Sequence, residues 1–142
     1  MKRKKLVIDY EYDFDLMGIV SSVKDYKLAW ALNNFLSIEL EKADDHILKF
    51  NKVGDIKFSN YIFATEHSEI RLFKNKAVDV SEQSKQFLVP EMGRFDYFLT
   101  AKGIISNCET KELADRLKRM RFIEYIVNIN IETIKSKDNF LV

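Results

Sequence analysis

Apolar residues along this chain switch from a period of two to the helical period and back, and they do so twice. Leu6, Ile8, Tyr10, Tyr12, Phe14 and Leu16 share one side of the first stretch. Asp9, Glu11, Asp13 and Asp15 share the other, with Val7 the one break in the pattern. The alternation predicts a half-buried antiparallel strand over 5–16, or two strands joined by a bend, with an acidic outer face. Asp and Glu are poor strand formers, so burial of the aromatic side has to carry this segment. Leu28, Ala31, Leu32 and Phe35 then recur at helical spacing, flanked by Tyr26 and Trp30 as an i,i+4 pair. Ser22-Val-Lys-Asp25 reads as the start of that helix: the hydroxyl accepts a first-turn amide hydrogen bond and the carboxylate reaches back. Asn33-Asn34 weakens its end.

The second unit begins at 95–102, where Phe95, Tyr97, Leu99 and Ala101 face one way and Asp96, Phe98, Thr100 and Lys102 the other. Ser106-Asn-Cys-Glu109 offers a second capping box, and Leu113, Ala114, Leu117 and Met120 supply the apolar stripe of a helix. Ile123, Tyr125, Val127, Ile129 and Ile131 alternate with mostly polar neighbours. Their β-branching favours a strand, while Phe122, Tyr125, Ile126 and Ile129 also fit a helix face, so both readings stand for 121–131. Between the units, strands are expected at 46–50, 57–65 and 69–74, with Asn51-Lys-Val-Gly-Asp55 and Glu66-His67-Ser68 as turns. Residues 79–86 are polar and aperiodic, which predicts a surface loop. The expected architecture is one α+β globular domain over 1–142: a single antiparallel sheet with two helices packed on one face and ferredoxin-like elements.

Composition agrees with that class. A chain of 142 residues is long enough to bury its own core. Four Gly and one Pro imply little loop, and eleven Phe with six Tyr favour a strand-rich core. A net charge of +1 gives no global attraction to nucleic acid or acidic lipid. Cys108 is alone, so no disulfide forms within the chain, which suits a reducing cytoplasm. Met1-Lys-Arg-Lys-Lys5 resembles the basic start of a signal peptide, but only Leu6, Val7 and Ile8 follow before Asp9. No window approaches the ~18 apolar residues of a membrane span, so the expectation is a cytoplasmic protein without a membrane partner.

The stretch Leu88-Val-Pro-Glu-Met-Gly-Arg-Phe-Asp-Tyr97 holds the chain's single proline. Pro90 pushes Val89 into an extended conformation, Glu91-Met-Gly-Arg94 turns, and the alternating strand follows. This stretch resembles the signature of the IPExxxVDY family, a bacterial family named for that motif. Pro90, Glu91, Asp96 and Tyr97 fit letter for letter, while Val89 stands for Ile and Phe95 for Val. The resemblance is collinear beyond the signature. It includes Leu16-Met-Gly-Ile19 leading into Asp25-Tyr-Lys-Leu-Ala-Trp-Ala-Leu-Asn33, the segment Leu72-Phe-Lys-Asn75-Lys76, and Ile134-Lys-Ser-Lys-Asp-Asn-Phe-Leu141. What the resemblance implies is a small bacterial domain of the same length with no established substrate, cofactor or partner.

Glu91 and Asp96 are the first candidates for chemistry, with Tyr97 beside them. A carboxylate pair at the rim of a sheet can hold a metal or share a proton. The structural alternative has Glu91 fixing the turn by pairing with Arg94 or a backbone amide, and Asp96 meeting a cation such as Lys102. No further carboxylate or histidine lies at ligand spacing nearby, which favours the structural alternative; no metal and no cofactor are expected. His46 follows Asp44-Asp45, but neighbouring strand residues point to opposite faces, and His67 sits in a turn; both are expected to face solvent. Cys108 near a helix start could be activated, but with no partner histidine it reads as small apolar filler. Gly18, Gly54, Gly93 and Gly103 are scattered, so neither a P-loop nor a dinucleotide fingerprint exists.

Basic residues form two groups, Lys2 to Lys5 in the tail and Lys111, Arg116, Lys118, Arg119 and Arg121 on the second helix. Cations near a helix C-terminus complement its dipole without any ligand. Nucleic-acid binding needs tail and helix to converge, and the acidic strand opposes it. The leading expectation is a non-enzymatic binding or regulatory domain acting through protein contacts or homodimerisation. Behind it stands a small-ligand binder or enzyme centred on Pro90-Glu91 and Asp96-Tyr97, and third RNA binding through tail and helix, with Arg116, Lys118, Arg119 and Arg121 as the contact patch.

Overall fold

The computed structural model describes residues 13–50, 54–78 and 86–141. Its centre is a six-stranded antiparallel sheet built from β1 (Asp15–Val20), β2 (Glu41–Lys42), β5 (Asn60–Ala64), β6 (Glu69–Lys74), β7 (Tyr97–Lys102) and β10 (Tyr125–Ile129). The strand order is β10-β1-β7-β6-β5-β2. Helix α1 (Asp25–Leu36) follows β1, and α2 (Thr110–Leu117) links β7 to β10, on the far side of β1. The run β10-β1-β7-β6 is therefore the split strand–helix–strand arrangement of ferredoxin-like folds, extended at one edge by β5 and the two-residue β2. A separate hairpin pairs β3 (His46–Phe50) with β4 (Gly54–Phe58), and a small one pairs β8 (Ile104–Ile105) with β9 (Cys108–Glu109). The expected α+β class, antiparallel sheet and helical layer are what the chain adopts. None of the described helices is long and apolar enough to cross a membrane.

Strand alternation divides the interior into two cores. Met17, Ile19, Ile70, Leu72, Tyr97, Leu99 and Ala101 point to the helical layer, where Leu28, Leu32 and Leu36 of α1 meet Leu113, Ala114 and Leu117 of α2. Both helices thus pack on one face. On the reverse face Leu16, Phe73 and Phe98 are covered by Ile56 and Phe58 of β4, by Leu88 and Val89, and by Ile134 and Phe140 near the C-terminus. Phe140 sits edge-on to Phe73 at 5.5 Å and to Phe98 at 5.6 Å, and Phe95 to Phe98 at 5.8 Å. Such pairs add about 0.5–1.5 kcal/mol each beyond their buried area. The sheet is thus buried on both faces, so the abundant Phe residues have two sides to fill. In β1 the acidic side does not form an outer face: Asp15 turns toward the helical layer and accepts a hydrogen bond from the Thr110 hydroxyl. The part of the acidic stripe before Asp13 lies outside the described residues.

Several local expectations give way to tertiary structure. Neither capping box forms: Lys24 and Glu109 occupy the N-cap positions without a side-chain cap. Ser106 and Asn107 both take positive φ, 53° and 60°, and make the two-residue turn of the β8–β9 hairpin. Asn33 does not fray α1. Its side chain brackets the exit instead, accepting from the Leu40 amide at 2.7 Å and donating to the Leu40 carbonyl at 3.2 Å. The expected strand 57–65 breaks at Ser59, one half pairing with β3 and the other with β6. Phe95 parts from Tyr97, Leu99 and Ala101 and joins the reverse core, because regular pairing begins only after it. The ambiguous segment 121–131 contains strand β10 against β1. His46 is buried, edge-on to Phe73, with its Nε2–H donating to the Asn139 carbonyl. Burial lowers its pKa against that hydrogen bond, with Arg71 adding to the lowering, so it is a neutral packing residue rather than a surface one. The expected loop 79–86 lies outside the described residues except for Gln86.

Gly18 in β1 faces the reverse core, where an added Cβ would lie 2.8 Å from Phe95 Cδ1 and 2.9 Å from Ile129 Cδ1. At Gly93, with φ −62°, the nearest atom to such a Cβ is on the Phe87 ring at 3.6 Å. Gly18→Ala should lower the unfolding free energy in urea by about 1–3 kcal/mol. Gly93→Ala should stay within about 1 kcal/mol of wild type.

Candidate functional site

Asn75, at the end of β6 and fully buried, organises the proline loop. Its Oδ1 accepts from the Val89 amide at 2.9 Å, and its Nδ2 donates to the carbonyls of Phe95 at 2.9 Å and Met92 at 3.2 Å. Its backbone carbonyl accepts from the Leu88 amide at 2.7 Å, and its own amide donates to the Asp96 carbonyl at 3.0 Å. One buried amide therefore clasps both ends of the loop. Pro90 opens the 3-10 turn Pro90–Met92, where its fixed φ and missing N–H are harmless.

From this clasp the remaining signature groups reach different segments. Glu91 accepts the Ser136 amide at 2.9 Å and the Ser136 hydroxyl at 2.8 Å, which docks the C-terminal segment on the reverse face. Burial pushes the Glu91 carboxyl up, but hydrogen bonds from its own amide, from Ser136 and from the Lys135 amide prevail and leave it below its ordinary value. Asp96 Oδ2 accepts the Ser21 amide at 2.9 Å, fixing the β1–α1 connection. The Tyr97 hydroxyl donates to the Val23 carbonyl at 2.6 Å. Burial raises the Tyr97 pKa, and the charges of Asp25 and Asp96 add to it, so the phenol stays a neutral donor. Tyr61 is pushed up to about 12 by burial and then by Asp25, its hydrogen-bond partner. The carboxylates of Glu91 and Asp96 thus fasten different segments. Among the described residues no group of three His, Cys, Asp or Glu is placed to hold a metal ion.

A cleft of about 290 Å³ opens beside the loop, with Phe87, Phe95 and Tyr97 on its apolar wall and Lys24, Lys74 and Lys76 around it. The structural alternative anticipated a backbone amide for Glu91, though not that of Ser136, and a cation for Asp96, which instead accepts the Ser21 amide. Arg94 lies over the Phe95 ring at 5.0 Å, and Lys102 lies 3.7 Å from Asp13. His67 is exposed in its turn, and Cys108 lies partly buried against the helical core in β9, outside any helix cap.

Among the described residues, the basic groups at and after α2 serve different contacts. Arg116 donates to the Ser106 carbonyl at 2.7 Å and closes the β8–β9 hairpin, while Lys118 pairs with Asp115 at 3.0 Å. The tail lysines lie outside the described residues. Arg119 and Arg121 instead rim a groove of about 300 Å³ floored by Trp30, Phe35, Met120 and Phe122. Tyr26 and Trp30 are each 62% exposed and Phe35 37%, so the outer face of α1 is aromatic where solvent usually meets polar side chains. Phe35 was expected in the core; Leu36 takes that position. The role of Asn75 was missed, because its contacts close only with the fold. No protein-family model matches the chain, and no curated protein matches it.

Asn75→Ala orphans the Val89 amide and two carbonyls in a dry interior, and should destabilise by roughly 2–4 kcal/mol in urea titration. Glu91→Gln acts at an exposed site and should cost about 1 kcal/mol or less at neutral pH. With its folded pKa below the ordinary 4.5, the Glu91 contribution is complete above that value and is lost as pH falls through the lowered one. Melting curves of Glu91→Gln and wild type should therefore converge in acid.

Proposed function

We propose that this chain is a small non-enzymatic binding domain that docks a protein segment on the outer face of α1. The exposed Trp30, in a groove that Phe35, Arg119 and Arg121 also line, carries this reading. Trp, Tyr and Arg are the residue types that dominate binding energy at protein interfaces. Charge complementarity selects an occupant with an apolar side chain flanked by carboxylates. A second copy of this chain is the weaker occupant, since a two-fold contact across the groove sets Arg119 and Arg121 against their own images. The sheet edge at β2 offers little, because that strand has only two residues.

Chemistry at the signature has less support, because Glu91, Asp96 and Tyr97 are all engaged in internal hydrogen bonds. RNA binding has less again, because Arg116 and Lys118 serve local contacts. Membership of the IPExxxVDY family, and with it a bacterial cytoplasm, belongs to the same proposal and rests on the signature and its collinear segments.

Trp30 is the chain's single tryptophan, so its emission reports on the groove without ambiguity. Peptides selected by display against the full chain should be acidic and apolar. They should shift Trp30 emission saturably, and they should lose affinity with added salt and in the double variant Arg119→Glu/Arg121→Glu. Selected peptides that are basic, or that bind the double variant unchanged, rule the proposal out.

A further inference from the structure

Arg71 is the described residue whose polar atoms fit their surroundings worst. Its Nε and Nη1 are buried and donate to nothing. Glu69 Oε2 lies 3.7 Å from Nε, an ion-pair distance beyond hydrogen-bond reach. The side chain is only 16% exposed, and its guanidinium carbon lies 5.9 Å from the centre of the Phe73 ring. Arginine cannot escape this situation by losing its proton, so the unmet donors persist as a charge seeking an acceptor. Arg71 also lines an adjoining cleft.

That cleft, about 360 Å³, is bounded by Arg71, Asp44, Asp45, His46, Ile47 and Asn60. Its walls are fixed: Asn60 is buried and its Nδ2 donates to the Asp44 carbonyl at 2.7 Å, and His46 is tied to Asn139. An oxyanion of planar, forked shape matches the guanidinium, which makes a carboxylate its natural complement. A bare polyanion meets opposition, because two carboxylates stand at the same cleft. Lys42 balances Asp45 at 3.1 Å, and among the described residues Asp44 has no cation paired with it. A ligand carrying a carboxylate and an ammonium a few bonds apart answers both demands.

We infer that this cleft binds a free α-amino acid as its zwitterion, Arg71 holding the carboxylate and Asp44 the ammonium. A small swing of the guanidinium brings its unmet N–H groups onto the carboxylate. The volume suits a molecule of that size. The site faces away from the α1 groove and does not depend on it.

The test is a thermal-shift and calorimetric panel on the full chain, with the standard L-amino acids, acetate, ethylammonium and inorganic phosphate as probes. At least one amino acid should raise the melting temperature saturably. Acetate and ethylammonium should bind at least about tenfold more weakly, since each satisfies one charge only. Asp44→Asn, at an exposed position, should weaken the amino acid and leave acetate no weaker, since it removes a like charge from the cleft; Arg71→Gln should abolish both. Absence of binding by every amino acid overturns the inference, as does binding that survives Arg71→Gln or is unaltered in Asp44→Asn. Acetate or phosphate matching the best amino acid overturns it too. If Arg71→Gln fails to fold, the Asp44→Asn result and the side-chain Nε–H resonance of Arg71 under titration decide.

Discussion

The buried amide of Asn75 is the contact on which the rest of the molecule hangs. A polar side chain with no solvent exposure is tolerable only when its donors and acceptor are met, and here both donors and the carbonyl oxygen have backbone partners. Those partners sit at Val89, Met92 and Phe95, so satisfying Asn75 also fixes the path of the loop that carries Pro90 and Glu91. The loop then positions Glu91 for Ser136 and Asp96 for Ser21. Through three polar side chains, the end of β6 sets the start of β7, the C-terminal segment and the approach to α1. A network satisfied at each of these points rigidifies; with one member removed it leaves orphans in a low-dielectric interior.

This clasp explains why the reverse face of the sheet can be covered by material with so little regular structure. A ferredoxin-like core needs its helices on one side only. Here the other side carries Phe73, Phe98 and Leu16, and apolar residues of that size need a cover. The cover comes from the β3–β4 hairpin, the proline loop and the C-terminal turns, pieces too short to hold themselves. Asn139 donates to the Leu88 carbonyl at 2.7 Å and His46 bonds the Asn139 carbonyl, so the three pieces are laced to one another as well as to the sheet. Hydrophobic burial drives the layer together, and directional hydrogen bonds settle its register.

Periodicity made the main elements legible in sequence: residues 46–50 and 69–74 are strands as read, and Leu113, Ala114 and Leu117 face the core. Local motifs were less faithful. Ser-x-x-acid marks a helix start only if nothing else claims the serine. The first helix begins after Lys24, too late for Ser22 to cap it, and Ser106 is taken by a tight turn. Phe95 deceived because alternation holds only within a paired strand, and pairing begins at Tyr97. At the site, a backbone-amide partner for Glu91 was readable from its place beside proline. Its partner Ser136, 45 residues away, was not. Asn75 lay in a recognisable segment, but a single Asn after a strand signals only a turn, and its depth depends on layers that no local pattern encodes. Arg71 did carry a signal: a cation at an alternating position between Ile70 and Leu72, on the side of Phe73.

The distribution of satisfied and unsatisfied groups separates scaffold from surface function. Natural sequences agree with their folds at nearly every level, and departures concentrate where something other than folding is selected. By that criterion the signature shows no departure, since Glu91, Asp96 and Tyr97 each have internal hydrogen-bond partners. The departures lie elsewhere. An aromatic helix face turned to solvent gains nothing for the isolated fold, and a buried guanidinium without acceptors opposes it. Neither stabilises the protein that carries it, yet each has a physical complement, an acidic apolar segment for one and a zwitterion for the other. They lie on opposite sides of a sheet whose strands contribute to both cores, with β6 bearing Arg71 on one face and Leu72 on the other. Any ligand that pulls on Arg71 therefore acts on the strand whose last residues lead into Asn75, and the clasp is the route by which the reverse face is mechanically joined to the α1 connection.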